Sequence, residues 1–156
     1  MPVTISVRRA TAGDQEEITR LVRAARLNPA GLAWPAFVVA EDDGRLVGAA
    51  QLRRHPDAAV ELASLVVDGP ARGAGVATSM VDVLLETETA PVCTIIDRRF
   101  TGHFARWGFA PVTPDKLPRS IRRTLRIGRI ITGVATTLRR PRIRLVPLAR
   151  PAAPRA

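Results

Sequence analysis

A single α/β domain built on one mixed sheet is the expectation from this sequence, for three reasons. The 156 residues fit one domain and can bury a proper core without disulfide or metal staples. Strand-like segments outnumber helical ones, and the early strands follow one another as an antiparallel meander before strands and helices alternate. Finally, a strand of apolar residues runs into a glycine-rich loop that opens directly into a helix.

Val3 to Arg9 alternates and is rich in β-branched residues, which suits a strand. Thr11-Ala-Gly-Asp14 breaks it, and Asp14 is placed to cap a helix starting near Gln15. Ile18, Leu21, Val22 and Ala25 then recur at helical spacing, with acids in the first turn and arginines in the last, as the helix dipole favours. Asn28 to Pro35 is a loop or a short helical turn. Ala36 to Glu41 is a second strand, Asp42-Asp43-Gly44 a tight hairpin turn, and Arg45 to Arg53 the returning third strand. His55-Pro56-Asp57 makes another turn before a long apolar strand from Ala58 to Val67. Asp68 to Gly75 is the glycine-rich loop, followed by a helix with Val76, Met80, Val83 and Leu84 on its apolar face.

Val92 to Ile96 is a short buried strand ending at Asp97. A helix from about Thr101 to Trp107 stops at Gly108, a C-cap glycine, and Phe109 to Val112 is again extended. Pro118 can open a further helix reaching to about Leu138, and Arg144 to Leu148 is a last strand. The expected layout is one domain over residues 1–148, carrying a basic helical insertion at 119–139, and a disordered tail over 149–156.

Composition narrows the chemistry. The chain is 46% apolar but only 4% aromatic, so the core is one of Val, Leu, Ile and Ala. One cysteine, Cys93, permits neither an internal disulfide nor a cysteine metal cluster, and His55 and His103 show no metal-ligand spacing. No metal is expected. The start of the chain lacks the basic segment and apolar run of a secretory signal. The longest nearly uncharged apolar stretch, Ile127 to Leu138, contains Arg129 and is too short to span a bilayer. A cytoplasmic protein is expected.

The net charge of +10 is unevenly placed: residues 1–114 balance to −1, and residues 115–156 carry +11. Arg119, Arg122, Arg123, Arg126 and Arg129 share one arc of the expected helix, with Ile127, Ile131, Val134 and Leu138 on another, extended by Ile121 and Leu125. A basic amphipathic helix of this kind can lie on an anionic membrane surface, meet an acidic partner or border an anionic substrate. The plainer reading is that its apolar side covers the fold and its arginines are solvated. Base recognition lacks the interleaved aromatic residues that stacking needs, so nucleic acid is not expected as a partner.

The chemical signal with most content is Arg72-Gly73-Ala74-Gly75-Val76-Ala77, followed by Thr78. Small residues let the backbone approach a ligand, and first-turn amides point outward with the helix dipole behind them, which makes a site for a pyrophosphate. A Walker loop would need a Gly-Lys pair, and a dinucleotide fingerprint would need parallel strands around its glycines. An ordinary glycine turn before a helix is the bland alternative.

The Arg-x-x-Gly-x-Ala run at Arg72, Gly75 and Ala77, after Leu65-Val66-Val67, resembles the acetyl-CoA loop of the GNAT acetyltransferases. Phe104-Ala-Arg-Trp-Gly-Phe109 resembles that family's second signature, and the order of elements from Val3 to Pro114 is similar as well. The resemblance implies a GNAT-like sheet, mostly antiparallel and flanked by helices. It implies transfer of an acetyl group from acetyl-CoA to a primary amine of a small molecule. The amides of residues 72–77 and the Thr78 hydroxyl would hold the pyrophosphate, and Leu65, Val66 and Val67 would line the pantetheine arm, with Phe104 also at the cofactor. In the family the thioester lies where the strand before the loop splays from its parallel neighbour, here Val92 to Ile96. A homodimer is compatible with this family.

Glu61 stands where some members carry a glutamate base, and Ser64 is a water-relay candidate; the alternative for Glu61 is a solvent-facing residue on an alternating strand. The tyrosine that often serves as general acid is replaced by Phe104, and the chain has no tyrosine. That departure keeps a second reading open, a GNAT-fold CoA-binding or membrane-binding module without turnover. A narrower resemblance, His103-Phe104 to Gly108-Phe109 followed by Leu117-Pro118, is to the acetyltransferase domain of N-acetylglutamate synthases, and it points to an amino acid such as glutamate as acceptor.

Overall fold

The computed structural model describes residues 4–136 and 143–154. Seven strands form a mostly antiparallel sheet flanked by helices, the expected α/β architecture. In chain order the elements are β1 (Ile5–Arg9), α1 (Gln15–Ala24), β2 (Phe37–Asp42), β3 (Arg45–Arg54), β4 (Val60–Val67), α2 (Val76–Leu85), β5 (Val92–Asp97), α3 (Thr101–Phe104), β6 (Ala110–Pro111), α4 (Arg119–Thr136) and β7 (Leu145–Arg150). By packing, the chain divides into two units, residues 1–53 with 62–88, and residues 54–61 with 89–156.

In the first unit β1, β2 and β3 pair antiparallel. The β2–β3 turn places Asp43 at φ 48° and Gly44 at φ 78°, the paired left-handed geometry that a tight hairpin needs and that Asp-Gly tolerates. Ile18, Leu21 and Val22 of α1 bury against Phe37, Val39 and Ala49 of the strands, which is why those three recur at helical spacing. Gly48 is required for packing. A Cβ there would lie 2.9 Å from Met80 Cε and 3.1 Å from the Val66 carbonyl, so the missing side chain makes room for α2.

Asp14 does not cap α1 through its side chain as expected. It ends a short 3-10 turn, and its carboxylate accepts from the Thr11 amide at 2.7 Å and from Arg8 at 2.8 and 3.1 Å. Arg8 also reaches Glu41 on β2. The Arg8 guanidinium is the main reason that the Asp14 carboxyl is held down at about 2.

In the second unit β7 lies between β5 and β6, antiparallel to both. Its core gathers Ala59, Cys93, Leu117, Ile121 and Leu125, with Ile95 and Leu145 alongside. The last strand runs to Arg150, and the Ala153 amide donates to Thr89 O, so Ala149 and Arg150 belong to the sheet rather than to a loose end. Helix α4 runs from Arg119 to Thr136 and falls between two strands in chain order. Leu138 and the end of the expected insertion lie outside the described residues. Ile121 and Leu125 face the core, whereas Ile127, Ile130 and Ile131 are exposed, so only one apolar arc of α4 covers the fold.

Candidate active site

Strand β4 carries both halves of the predicted chemistry, Glu61 near its start and Leu65, Val66 and Val67 at its end. Glu61 is 4% exposed, so the solvent-facing alternative does not hold. Its Oε2 lies 2.7 Å from His55 Nε2, a contact for which the sequence offered no motif. Turn geometry explains the contact. The His55 amide donates to Ala59 O and the Ala58 amide to His55 O, with Ala58 at φ 63°. His55 therefore stands opposite Ala59, and Glu61, two residues on, is its diagonal neighbour on the same face. Paired residues separated by a turn of unknown length leave no linear signal; a strand–turn register drawn around His55-Pro56-Asp57 is the one reading that could have found it.

The same turn is anchored elsewhere. Asp57 accepts from the Ser120 amide at 3.0 Å and the Ser120 hydroxyl at 2.8 Å, and so caps the start of α4 from 63 residues away. The Ser120 amide and hydroxyl hold the Asp57 carboxyl below its usual range. Ala59 packs with Ile121 and Leu125. Helix α4 is thus the platform for the turn that presents His55.

Ser64 adopts φ 55°, a left-handed conformation inside a strand, which is a strained position for a residue other than glycine. Its Oγ accepts from Gln51 Nε2 at 2.9 Å, and the same Gln51 amide donates to Gly31 O at 3.1 Å. The Ser64 hydroxyl proton has no acceptor among the described residues and stays available for donation. Cys93 is buried, and burial, with the Glu61 charge second, pushes its thiol up; it is a core residue rather than a nucleophile.

After β4 the chain makes a short 3-10 turn at Gly69–Ala71 and enters α2 through Gly73 at φ 83° and Gly75 at φ 77°. Both glycines are in the left-handed region with no atom within 4 Å of a built Cβ, so they serve conformation and an open face rather than packing. The first intrahelical bond runs from the Ser79 amide to Gly75 O. The Val76 and Ala77 amides, ahead of that bond, are among those a helix leaves for an outside acceptor. Arg72, Gly73, Ala74 and Gly75 are exposed, Ala77 and Thr78 half-buried, and Val76 fastens the helix from inside at 3% exposure. Arg72 turns its side chain back, Nε donating to Val67 O at 3.0 Å. Leu65 and Val67 are half-buried and Val66 is buried.

Phe104 is 4% exposed, with ring contacts to His103, Trp107 and Phe109 at 6.1, 5.6 and 5.9 Å. His103 is exposed. Among the described residues no group of His, Cys, Asp and Glu could hold a metal ion.

Comparison with known proteins bears on this arrangement. Solved structures share the fold. N-acetylglutamate synthase from Neisseria gonorrhoeae, complexed with coenzyme A and N-acetyl-glutamate, superposes with TM-score 0.73 at 21% identity over 99% of this chain, which spans 36% of that chain's length. Rv2747 from Mycobacterium tuberculosis, in complex with CoA and NLQ, gives 0.68 at 22% identity over 95% of this chain and 99% of its own. The diaminobutyrate acetyltransferase EctA from Paenibacillus lautus, with L-2,4-diaminobutyric acid and coenzyme A, gives 0.61 at 15% identity over 94% and 93%. Among curated protein sequences none matches. The profile of the acetyltransferase (GNAT) family matches residues 6–96, more than half of the sequence, and spans the Glu61 strand and the glycine loop; the chain belongs to that family.

Proposed function

We propose that this protein is an acetyl-CoA-dependent N-acetyltransferase acting on the primary amine of a small molecule, with an amino acid such as glutamate as the narrower expectation. The observation that carries the reading is the buried Glu61 carboxylate bonded to His55 at 2.7 Å on a strand that leads into the glycine entry of α2. The open, left-handed Gly73 and Gly75 and the first turn of α2 suit a pyrophosphate, so residues 72–78 fit acetyl-CoA. Acetyl-CoA supplies an acetyl thioester for attack by the amine.

The protein's own residues then manage protons. Most biological amines are protonated at neutral pH, and a base must remove that proton before attack. Glu61 accepts it at a carboxylate oxygen. With the His55 Nε2–H donating to Oε2, the carboxylate is oriented to take the amine proton, which passes to solvent when the product leaves. The His55 side chain keeps 13% exposure and its other ring nitrogen has no protein partner among the described residues. The Ser64 hydroxyl, still able to donate, is a relay to solvent or to the departing sulfur. Phe104 cannot donate, and a CoA thiolate is a weak enough base to leave without a dedicated acid.

The first experiment is calorimetric titration with acetyl-CoA, followed by thiol release on a panel of amino acids including glutamate and 2,4-diaminobutyrate. Micromolar binding with turnover on one acceptor supports the enzyme. Binding without turnover on any amine favours the CoA-binding module, and no binding overturns the reading.

A further inference from the structure

We propose that helix α4 is a docking surface for an anionic lipid bilayer. The helix has three faces. Ile121 and Leu125 are 0% and 2% exposed, and Gly128 lies so near β7 that a Cβ would sit 2.9 Å from Leu145 Cδ1; this arc belongs to the core. At 3.6 residues per turn, Arg119, Arg122, Arg123, Arg126 and Arg129 fill a second arc of about 120°. Ile127 and Ile131, 47% and 63% exposed, fill a third, while Ile130, 61% exposed, stands among the arginines of the second. The core uses one apolar arc and leaves the other in solvent.

The basic arc is not neutralised from within. Arg119, Arg123, Arg126 and Arg129 make no salt bridge among the described residues. Arg122, Arg126 and Arg129 border a groove of about 370 Å³ whose remaining walls are Pro114, Leu125 and Ile130. Arg122 Nε is buried there without a hydrogen-bond partner. Guanidinium groups beside aliphatic walls suit an anionic headgroup whose chain is apolar.

Charge selects the occupant. A second copy would set α4 against α4 and bring two unneutralised arginine arcs together in a chain whose residues 115–156 carry +11. Duplex nucleic acid satisfies the arginines but leaves three isoleucines in water. An anionic bilayer satisfies both arcs at once, the isoleucines entering the headgroup boundary and the arginines meeting phosphates. No helix among the described residues is long and apolar enough to cross a membrane, so the mode is one of lying on the surface.

The test is co-sedimentation of the full chain with vesicles of phosphatidylcholine, alone or containing a minority of phosphatidylglycerol. Binding is expected to the mixed vesicles and to weaken with salt, and to fall by about fivefold for each arginine removed in Arg123→Gln and Arg126→Gln. The triple variant Ile127→Ser, Ile130→Ser, Ile131→Ser keeps every charge and is expected to lose at least about tenfold, by the apolar area withdrawn. Circular dichroism melting confirms that each variant is folded; these side chains are solvent-exposed, and Arg126→Gln alone serves if the combined changes unfold the helix. Failure to sediment with phosphatidylglycerol overturns the proposal. So does equal binding by the serine variant, which would make the surface a general polyanion site, or an α4-dependent dimer in size-exclusion chromatography.

Discussion

Replacing Glu61 with glutamine changes one heavy atom and removes the proposed base. The substituted side chain keeps its length and can still bond to His55 across the observed 2.7 Å, but it cannot take a proton from an amine. General bases contribute about 10²–10⁴ in rate, which is roughly 2.7–5.5 kcal/mol of barrier at 1.36 kcal/mol per tenfold. The new amide protons enter a site that is 4% exposed, and any left unpaired costs about 1–3 kcal/mol of stability. Glu61→Gln is therefore expected to melt somewhat earlier and still be folded at assay temperature. Thiol release under saturating acetyl-CoA and acceptor reads kcat, and calorimetry reads acetyl-CoA affinity. The expected result is a kcat loss of at least about a hundredfold with affinity within a factor of about two, because the contribution is to proton transfer and not to holding the pyrophosphate. A loss below about tenfold would refute Glu61 as the base, whatever the acceptor.

Gly75→Val forces a β-branched residue to φ 77°, a cost of about 1–3 kcal/mol that the backbone relieves by moving the first-turn amides; acetyl-CoA affinity should fall by at least about tenfold in calorimetry. Leu125→Ala empties a site 2% exposed at the junction of α4 and the turn before β4, and urea unfolding should show a loss of about 2–5 kcal/mol. Asp57→Ala removes the cap of α4 and loosens the turn carrying His55, so it should lower both the melting temperature and kcat while leaving acetyl-CoA affinity unchanged. Asp14 has its folded pKa depressed from 3.8 to about 2, so its stabilisation is complete above 3.8 and is lost as pH falls from 3.8 toward 2. Arg8 is 38% exposed and screened, which limits the effect to about 1 kcal/mol. Asp14→Asn should show that deficit at neutral pH and lose it near pH 2 in denaturant titrations.

The features legible along the chain are those whose physics is local. Asp43-Gly44 closes a hairpin because two consecutive left-handed residues are cheap there, and Gly75 opens α2 because its own φ and the following apolar spacing need nothing from afar. The resemblance to the family likewise rests on short local strings, the Arg72–Ala77 run and Phe104–Phe109, together with the order of elements. Contacts between distant residues set the rest. Burial of Glu61 and its bond to His55 depend on the register across a turn, which alternation alone does not number. The partner of Asp14 is Arg8 rather than the helix end it precedes, because a guanidinium within reach outcompetes a dipole. On α4 the 3.6-residue period sorts residues into arcs but cannot say which apolar arc meets the core. Contact with β7 chose Ile121 and Leu125 and left Ile127, Ile130 and Ile131 to the solvent, since a helix lying on a sheet has only one face to bury.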